Sequence, residues 1–274
     1  MSGQAAQLVI PAGASKNCTI MKYYIFCSYL AVTVFVLQAC GTDHKIGGAS
    51  MAPPSYPACL TDVSPDFRSE VAGIDISHWN GDILWKEVNR ESIYFVYMKA
   101  TEGTDYVDPS FAANWTGARN TSLRRGAYHY FLPGLSDARQ ILQAQNFINT
   151  IKPLQKGDLR PMLDVEDDPQ TTVEQFQRRL SIVINEIEVR LKVRPIIYTT
   201  SELYKKYLST SEKFRAYDMW IAQYARVRPE LCDGKTVYIW QFTDKAKIRG
   251  VSKPVDMDIL YTRVADLDKL IIKE

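Results

Sequence analysis

Histidine and cysteine are scarce, at three and five residues in a chain of 274. None of them stands at a spacing that would hold zinc, so no zinc site is expected. Net charge is nearly absent too. With 33 basic and 31 acidic residues the balance is +2, which removes the electrostatic case for binding nucleic acid. No internal repeat is visible, and no glycine-rich phosphate turn follows the first strand-like run, which argues against an open dinucleotide-binding sheet. No cofactor is implied. A long uncharged apolar run occurs at residues 23–39.

That run follows Met21 and Lys22 and ends at Leu37, Gln38, Ala39 and Cys40. A short positive flank, an apolar stretch and a small residue before the cut describe a secretion leader over residues 1–39, with Met21 a better start than Met1. The closing residues resemble the lipobox of bacterial lipoproteins, Gln38 being unusual within it. The resemblance implies that Cys40 is acylated and holds the protein to a membrane of the bacterial envelope, facing periplasm or exterior. The alternative is an uncleaved anchor, since the run is about long enough to span a bilayer. Residues 40–66, rich in Gly, Ser, Ala and Pro, read as a tether. Cys18 and Cys27 fall in the leader. Cys59 and Cys232 remain, as a disulfide in an oxidising envelope or as two free thiols.

Residues 67–274 carry the folded part, and 46% apolar against 23% charged residues is enough for a sizeable core. Strand-like runs recur at 71–77, 93–100, 126–131, 160–166, 195–199, 219–224, 237–242 and 255–260. Helix-like stretches lie between the early ones. Residues 137–151 place Ile141, Leu142, Ala144, Gln145 and Ile148 at helical spacing, and 172–191 place Phe176, Leu180, Val183, Ile184, Ile187 and Leu191 on one side. A third stretch, 111–118, follows Asp108 and Pro109. Such alternation implies an α/β fold of parallel strands with crossover helices. The connections 224–237 and 243–255 are too short for full crossover helices. The expectation is one domain, an irregular TIM-like β/α barrel of about eight strands and fewer helices.

Most runs end in polar residues: Asp75 and Ser77, then Lys99 and Glu102, Tyr128 and His129, Asp164 and Glu166, with Tyr198, Tyr224, Gln241 and Asp256 marking the later ones. In parallel barrels the active site forms at these ends. Asp164 and Glu166 are the sharpest feature. Residues two apart in a strand face the same side, their Cα atoms roughly 6.5–7 Å apart. Like charges held that close raise each other's proton affinity, so one carboxyl stays protonated as a general acid. Neighbours on one strand cannot easily flank a sugar ring from both faces, as the two-carboxylate schemes need. A route assisted by the substrate's own 2-acetamido group fits better, with Glu166 giving the proton and Asp164 orienting the amide. Taken alone, the pair reads more readily as a metal site or as two solvated loop carboxylates than as a catalytic pair.

The wider pattern resembles the glycoside hydrolase family 25 lysozymes, which are N-acetylmuramidases. The similarity rests on motifs at 73–77 with Gly81 and Trp85, 95–103 with Tyr106, Asp108 and Phe111, then 126–131, 161–166, 195–198, 220–224, 240–242 and 255–256. It implies that Glu166 is the proton donor, that Asp75, Asp164 and Asp256 complete a ring of acids, and that Tyr128 lines the floor near Asp164. Asp258 departs from the Asn more usual in the family, and Gln223 from a His or other polar residue. Tyr198, Trp220, Tyr224 and Gln241 are expected to contact substrate, with Trp220 and Tyr224 as stacking platforms for sugar rings. Lys99 and Glu102 either touch sugar or form an ion pair beneath it. Trp79 is a further candidate platform, whereas His78 and His129 are expected to be structural. The implied partner is peptidoglycan, and the protein is taken as a monomer by default. Two rivals are a chitinase-like glycosidase and a lipid-anchored protein that binds peptidoglycan without cutting it.

Overall fold

The computed structural model describes residues 71–89, 91–261 and 264–273, with side chains from 267 onward in the last stretch. The leader, Cys40, the tether and Cys59 lie outside the described residues. Among those described, nine strands and six helices occur. The strands are β1 (Val71–Ile76), β2 (Phe95–Glu102), β3 (Tyr106–Val107), β4 (Arg124–Tyr130), β5 (Met162–Asp164), β6 (Ile196–Thr200), β7 (Met219–Ala222), β8 (Ile239–Ala246) and β9 (Val255–Leu260). The helices are α1 (Trp85–Val88), α2 (Phe111–Arg119), α3 (Asp137–Ile151), α4 (Val173–Leu191), α5 (Ser201–Leu203) and α6 (Glu212–Arg215).

Strand alternation builds the barrel. Along β2, Phe95 and Tyr97 face inward while Val96, Met98 and Ala100 face the helices; along β6, Ile196 and Tyr198 face in and Ile197 faces out. Pairing runs β1, β2, β4, β5, β6, β7, β8, β9 and back to β1, which closes eight strands into an irregular barrel with β3 hairpinned onto β2. Glycine is required at two inward positions. A Cβ on Gly73 would lie 2.2 Å from the Phe95 ring, and one on Gly126 would lie 2.4 Å from the Tyr97 ring. Phe95, Tyr97, Tyr198 and Trp220 fill the space these glycines leave, with edge-on contacts such as Tyr97 to Trp220 at 5.0 Å between centroids. They form a solid floor.

Two sequence expectations need correction. The last strand is not parallel: β9 runs antiparallel to both β8 and β1. The short 247–254 connection cannot carry the chain back across the barrel, so it turns and returns alongside. The buried stripe of α3 also differs from the expected one. It comprises Gln140, Gln143, Ala144, Phe147, Ile148 and Ile151, with Ile141 and Leu142 exposed. Two glutamines displace aliphatic residues because their amides hold the β4 exit. Gln140 Nε2 donates to the Leu132 and Leu135 carbonyls, and Gln143 Oε1 accepts from the Leu132 amide at 3.1 Å while lying 3.0 Å from His129 Nε2. Helix α4 buries Phe176, Leu180, Val183, Ile184 and Ile187 as its periodicity predicts, and Thr172 caps it by accepting from the Gln175 amide.

Candidate active site

A cavity of about 500 Å³ opens at the C-terminal ends of the parallel strands. Asp75, Lys99, Tyr128, Asp164, Glu166, Tyr198, Tyr224, Gln241 and Asp256 all line it, so nine of the expected site residues share one space. Each comes from a different strand end, apart from Asp164 and Glu166. Reversal of β9 is what brings Asp256 here. It stands second in its strand, and only an antiparallel course puts that position at the mouth, directly across from Asp75.

The carboxyls differ in setting. Asp164 ends β5 and is buried, whereas Glu166 lies two residues past the strand end and reaches solvent. Burial pushes the Asp164 carboxyl well up, helped by Glu166 and Asp75 and opposed by Lys99. Glu166 is raised as well, first by the water its surroundings exclude and then by Asp167, again with Lys99 opposing. Asp75 is raised by burial and by Asp256, and Asp256 is pushed up to about 6 by burial and by Asp244. The result is several carboxyls that cannot all ionise together, so the cluster holds a proton more readily than a lone carboxyl would. Among the described residues no donor reaches Asp164 Oδ1, a buried acceptor close to Glu166.

Several expected substrate contacts take other roles. Trp220 is a correction: its ring is fully buried in the floor between Tyr97, Phe95 and Tyr198, and its Nε1 donates to Asp258 Oδ1 at 3.2 Å. As an inward residue of β7 below the mouth, it is out of reach of a sugar ring. Gln241 lines the wall but is 2% exposed, and its amide is committed to the protein. Its Oε1 accepts from Tyr198 and Tyr224 at 2.9 and 3.0 Å, and its Nε2 donates to Asp75 Oδ2 at 2.7 Å. Gln241 therefore positions Asp75. Tyr224, at 57% exposed, keeps an open ring face, as does Trp79 at 70%. Lys99 pairs with Glu102 at 2.7 Å and lies over the Tyr130 ring. Glu102 lines a neighbouring cavity of about 390 Å³ that shares Trp79 and Lys99 with the first.

His78 and His129 are held by the scaffold. His129 is fully buried between Thr101 and Gln143, and burial lowers it to about 4. His78 Nδ1 lies 2.8 Å from Asp108 Oδ2. Gln223 lines neither cavity, and Cys232 is exposed. Sequence reasoning missed Tyr130, Asp244 and Lys253, which also line the cavity. Tyr130 could have been found from alternation, being two residues beyond Tyr128 on β4. Asp244 sits past a register shift in β8 and Lys253 on a loop, where no periodicity reports orientation.

Residues 74–251 match the family model of glycosyl hydrolases family 25. The chain belongs to that family. Among its relatives, the uncharacterized protein YegX of Escherichia coli K12 is 34% identical over 211 residues, covering 74% of this chain and 75% of YegX. Lysozyme M1 of Streptomyces globisporus is 32% identical over 204 residues, covering 71% and 69%. The crystal structure of a lysozyme from Streptomyces coelicolor superposes with a TM-score of 0.69 at 30% identity, over 74% of this chain and 97% of that one. This family 25 member is an enzyme, a glycoside hydrolase of the lysozyme type. Among the described residues no group of three or more His, Cys, Asp or Glu is arranged to hold a metal ion.

Proposed function

We propose that this hydrolase cleaves the β-1,4 bond between N-acetylmuramic acid and N-acetylglucosamine in peptidoglycan, with Glu166 as proton donor and the substrate's 2-acetamido group as nucleophile. The observation that carries the reading is the pairing of Glu166, raised in proton affinity at the rim, with the buried and donor-free Asp164 Oδ1 beside it. Similarity to lysozymes of two Streptomyces species supports the choice of polymer.

In the first step Glu166 gives its proton to the glycosidic oxygen as the bond from that oxygen to C1 breaks. The acetamido oxygen closes on C1, and Asp164 accepts the amide N–H, opposing the positive charge of the ring that forms. Asp75 and Asp256 add negative potential around the developing cation. In the second step ionised Glu166 takes a proton from water as water oxygen bonds to C1 and the acetamido oxygen leaves. Two inversions at C1 amount to retention. Tyr224 and Trp79 offer exposed aromatic faces to the sugar rings.

The enzyme is further proposed to work outside the cytoplasm, anchored through Cys40. The support is the uncharged run ending at Ala39 and the cysteine that follows it. Among the described residues no helix is long and apolar enough to cross a membrane, so attachment would come from the N-terminal segment. A Cys40→Ser variant should leave the membrane fraction and lose incorporation of labelled fatty acid; unchanged labelling would refute the anchor.

The activity is tested by digesting purified peptidoglycan with the wild-type domain and with Glu166→Gln, reducing the products with borohydride and identifying them by mass spectrometry. New reducing ends at N-acetylmuramic acid, missing in the variant, are expected. Ends at N-acetylglucosamine would assign the other bond, and no new ends would favour glycan binding without cleavage.

A further inference from the structure

Below the ring of acids lies a fifth carboxyl that the mechanism does not use. Asp258 follows Asp256 by two residues on β9, so both point into the barrel. Asp256 is paired across from Asp75, and Asp258 sits one layer deeper, across from Gly73 on β1 and Gln241 on β8. Asp258 is fully closed to solvent. Its Oδ1 accepts from the Trp220 indole at 3.2 Å, but among the described residues no N–H or O–H donor reaches Oδ2. Asp75 lies diagonally from Asp258 across the β1–β9 ladder, both on the inward face, and Gln241, which stands opposite Asp258, holds Asp75 Oδ2.

Two ionised carboxyls side by side in so dry a place repel each other and lack the donors to offset desolvation. One proton must be shared between them, and the donors decide where it rests. Asp75 receives Gln241 Nε2 at 2.7 Å, whereas Asp258 has only the longer indole contact. The titratable groups facing Asp258 are Asp75 from β1, Asp256 from its own strand and the Tyr97 phenol from β2; none is a cation that would hold it ionised.

We propose that Asp258 is a neutral carboxylic acid that donates its proton to Asp75 as a hydrogen bond, and is thereby a positioning residue for the catalytic ring. With donors from Gln241 on one side and Asp258 on the other, Asp75 is held as an anion aimed at the cleft. Burial and the nearby acids push Asp258 well above the usual carboxylate range; Asp75 is raised too, by burial and then by Asp256, and the hydrogen bonds it receives pull it back down in part. The consequence for catalysis rests on the proposed function; the protonation of Asp258 does not.

The test uses two substitutions. Asp258→Asn keeps a donor of the same shape and cannot ionise, whereas Asp258→Leu keeps the volume without a donor. In infrared difference spectra at neutral pH, the wild type should show a protonated-carboxyl carbonyl band that Asp258→Asn lacks. Loss of a hydrogen bond to a charged group predicts that Asp258→Leu lowers kcat on peptidoglycan about ten- to a hundredfold, with Asn restoring most of it. A proton on folded Asp258 stabilises the fold below the unfolded pKa, and that contribution is lost as pH rises through the raised folded value. The melting temperature of Asp258→Asn should therefore gain on the wild type as pH rises above about 4. If no band disappears, or if Asn is as impaired as Leu with an unchanged pH profile of stability, the proposal is overturned. If Leu does not fold, the band and the Asn stability profile still decide. If the wild type cuts no glycan at all, the proposed function fails while the spectroscopic result still judges Asp258.

Discussion

Glu166 and Asp164 are two residues apart, yet one reaches solvent at the cleft rim and the other is enclosed at a strand end. That difference supports the roles proposed for them. The group at the rim can exchange protons with substrate and water, and the enclosed one is better placed to accept a hydrogen bond. Because Glu166 must be protonated to act, activity should decline as pH rises through its elevated pKa. Replacing the neighbour that raises it, as in Asp167→Asn, should move the alkaline limb of the kcat/KM profile toward lower pH; a limb that stays in place would remove Glu166 as the titrating acid. Gln241 offers a second check at this scale. Its amide is the donor seen on Asp75 Oδ2, so Gln241→Leu should lower kcat about tenfold or more with little change in KM. A change confined to KM would return Gln241 to a sugar-binding role.

At the scale of elements, barrel interior and helix layer make separate demands. Gly73 and Gly126 face aromatic rings at distances no Cβ tolerates, so Gly73→Ala or Gly126→Ala should cost about 1–3 kcal/mol in denaturant unfolding. A cost near zero would mean the floor repacks freely. Strand β4 is tied to α3 through buried His129, which must be neutral to accept its place between Thr101 and Gln143. Its folded pKa of about 4 lies below the ordinary value of 6.5, so the unfolded chain takes up the proton first. Stability should fall as pH drops from 6.5 toward 4, and His129→Gln should flatten that slope when unfolding is followed across the window.

For the whole molecule, the acids impose the opposite trend. Asp256 has a folded pKa of about 6 against an ordinary value of 3.8, so its contribution is full below the lower value and is lost as pH rises through the upper one. Asp256→Asn should therefore melt higher than the wild type at neutral pH while losing activity, with the gain disappearing below about pH 4. An unchanged melting temperature at neutral pH would mean that Asp256 titrates normally. The cleft thus trades stability for a cluster of carboxyls held where water is limited.

Much of this architecture was legible in the sequence, because a strand period of two and a helix period near 3.6 report which side a residue faces. The barrel, its strand positions, helix α4 and the acids at the strand ends follow from that pattern. Side does not report direction or depth. The reversal of β9, which sets Asp256 against Asp75, depends on how a short loop closes the sheet. Gln241 carries the same polar-ended signature as Tyr224, and Trp220 the same aromatic one, but only the packing of neighbouring strands buries Trp220 in the floor and commits the Gln241 amide in the wall. On α3, the periodic aliphatics Ile141 and Leu142 yield to glutamines because buried carbonyls and a buried imidazole need donors and acceptors more than the core needs another apolar side chain. The sequence determined which residues the barrel could offer to chemistry; closure of the sheet decided which of them meet substrate and which hold the others in place.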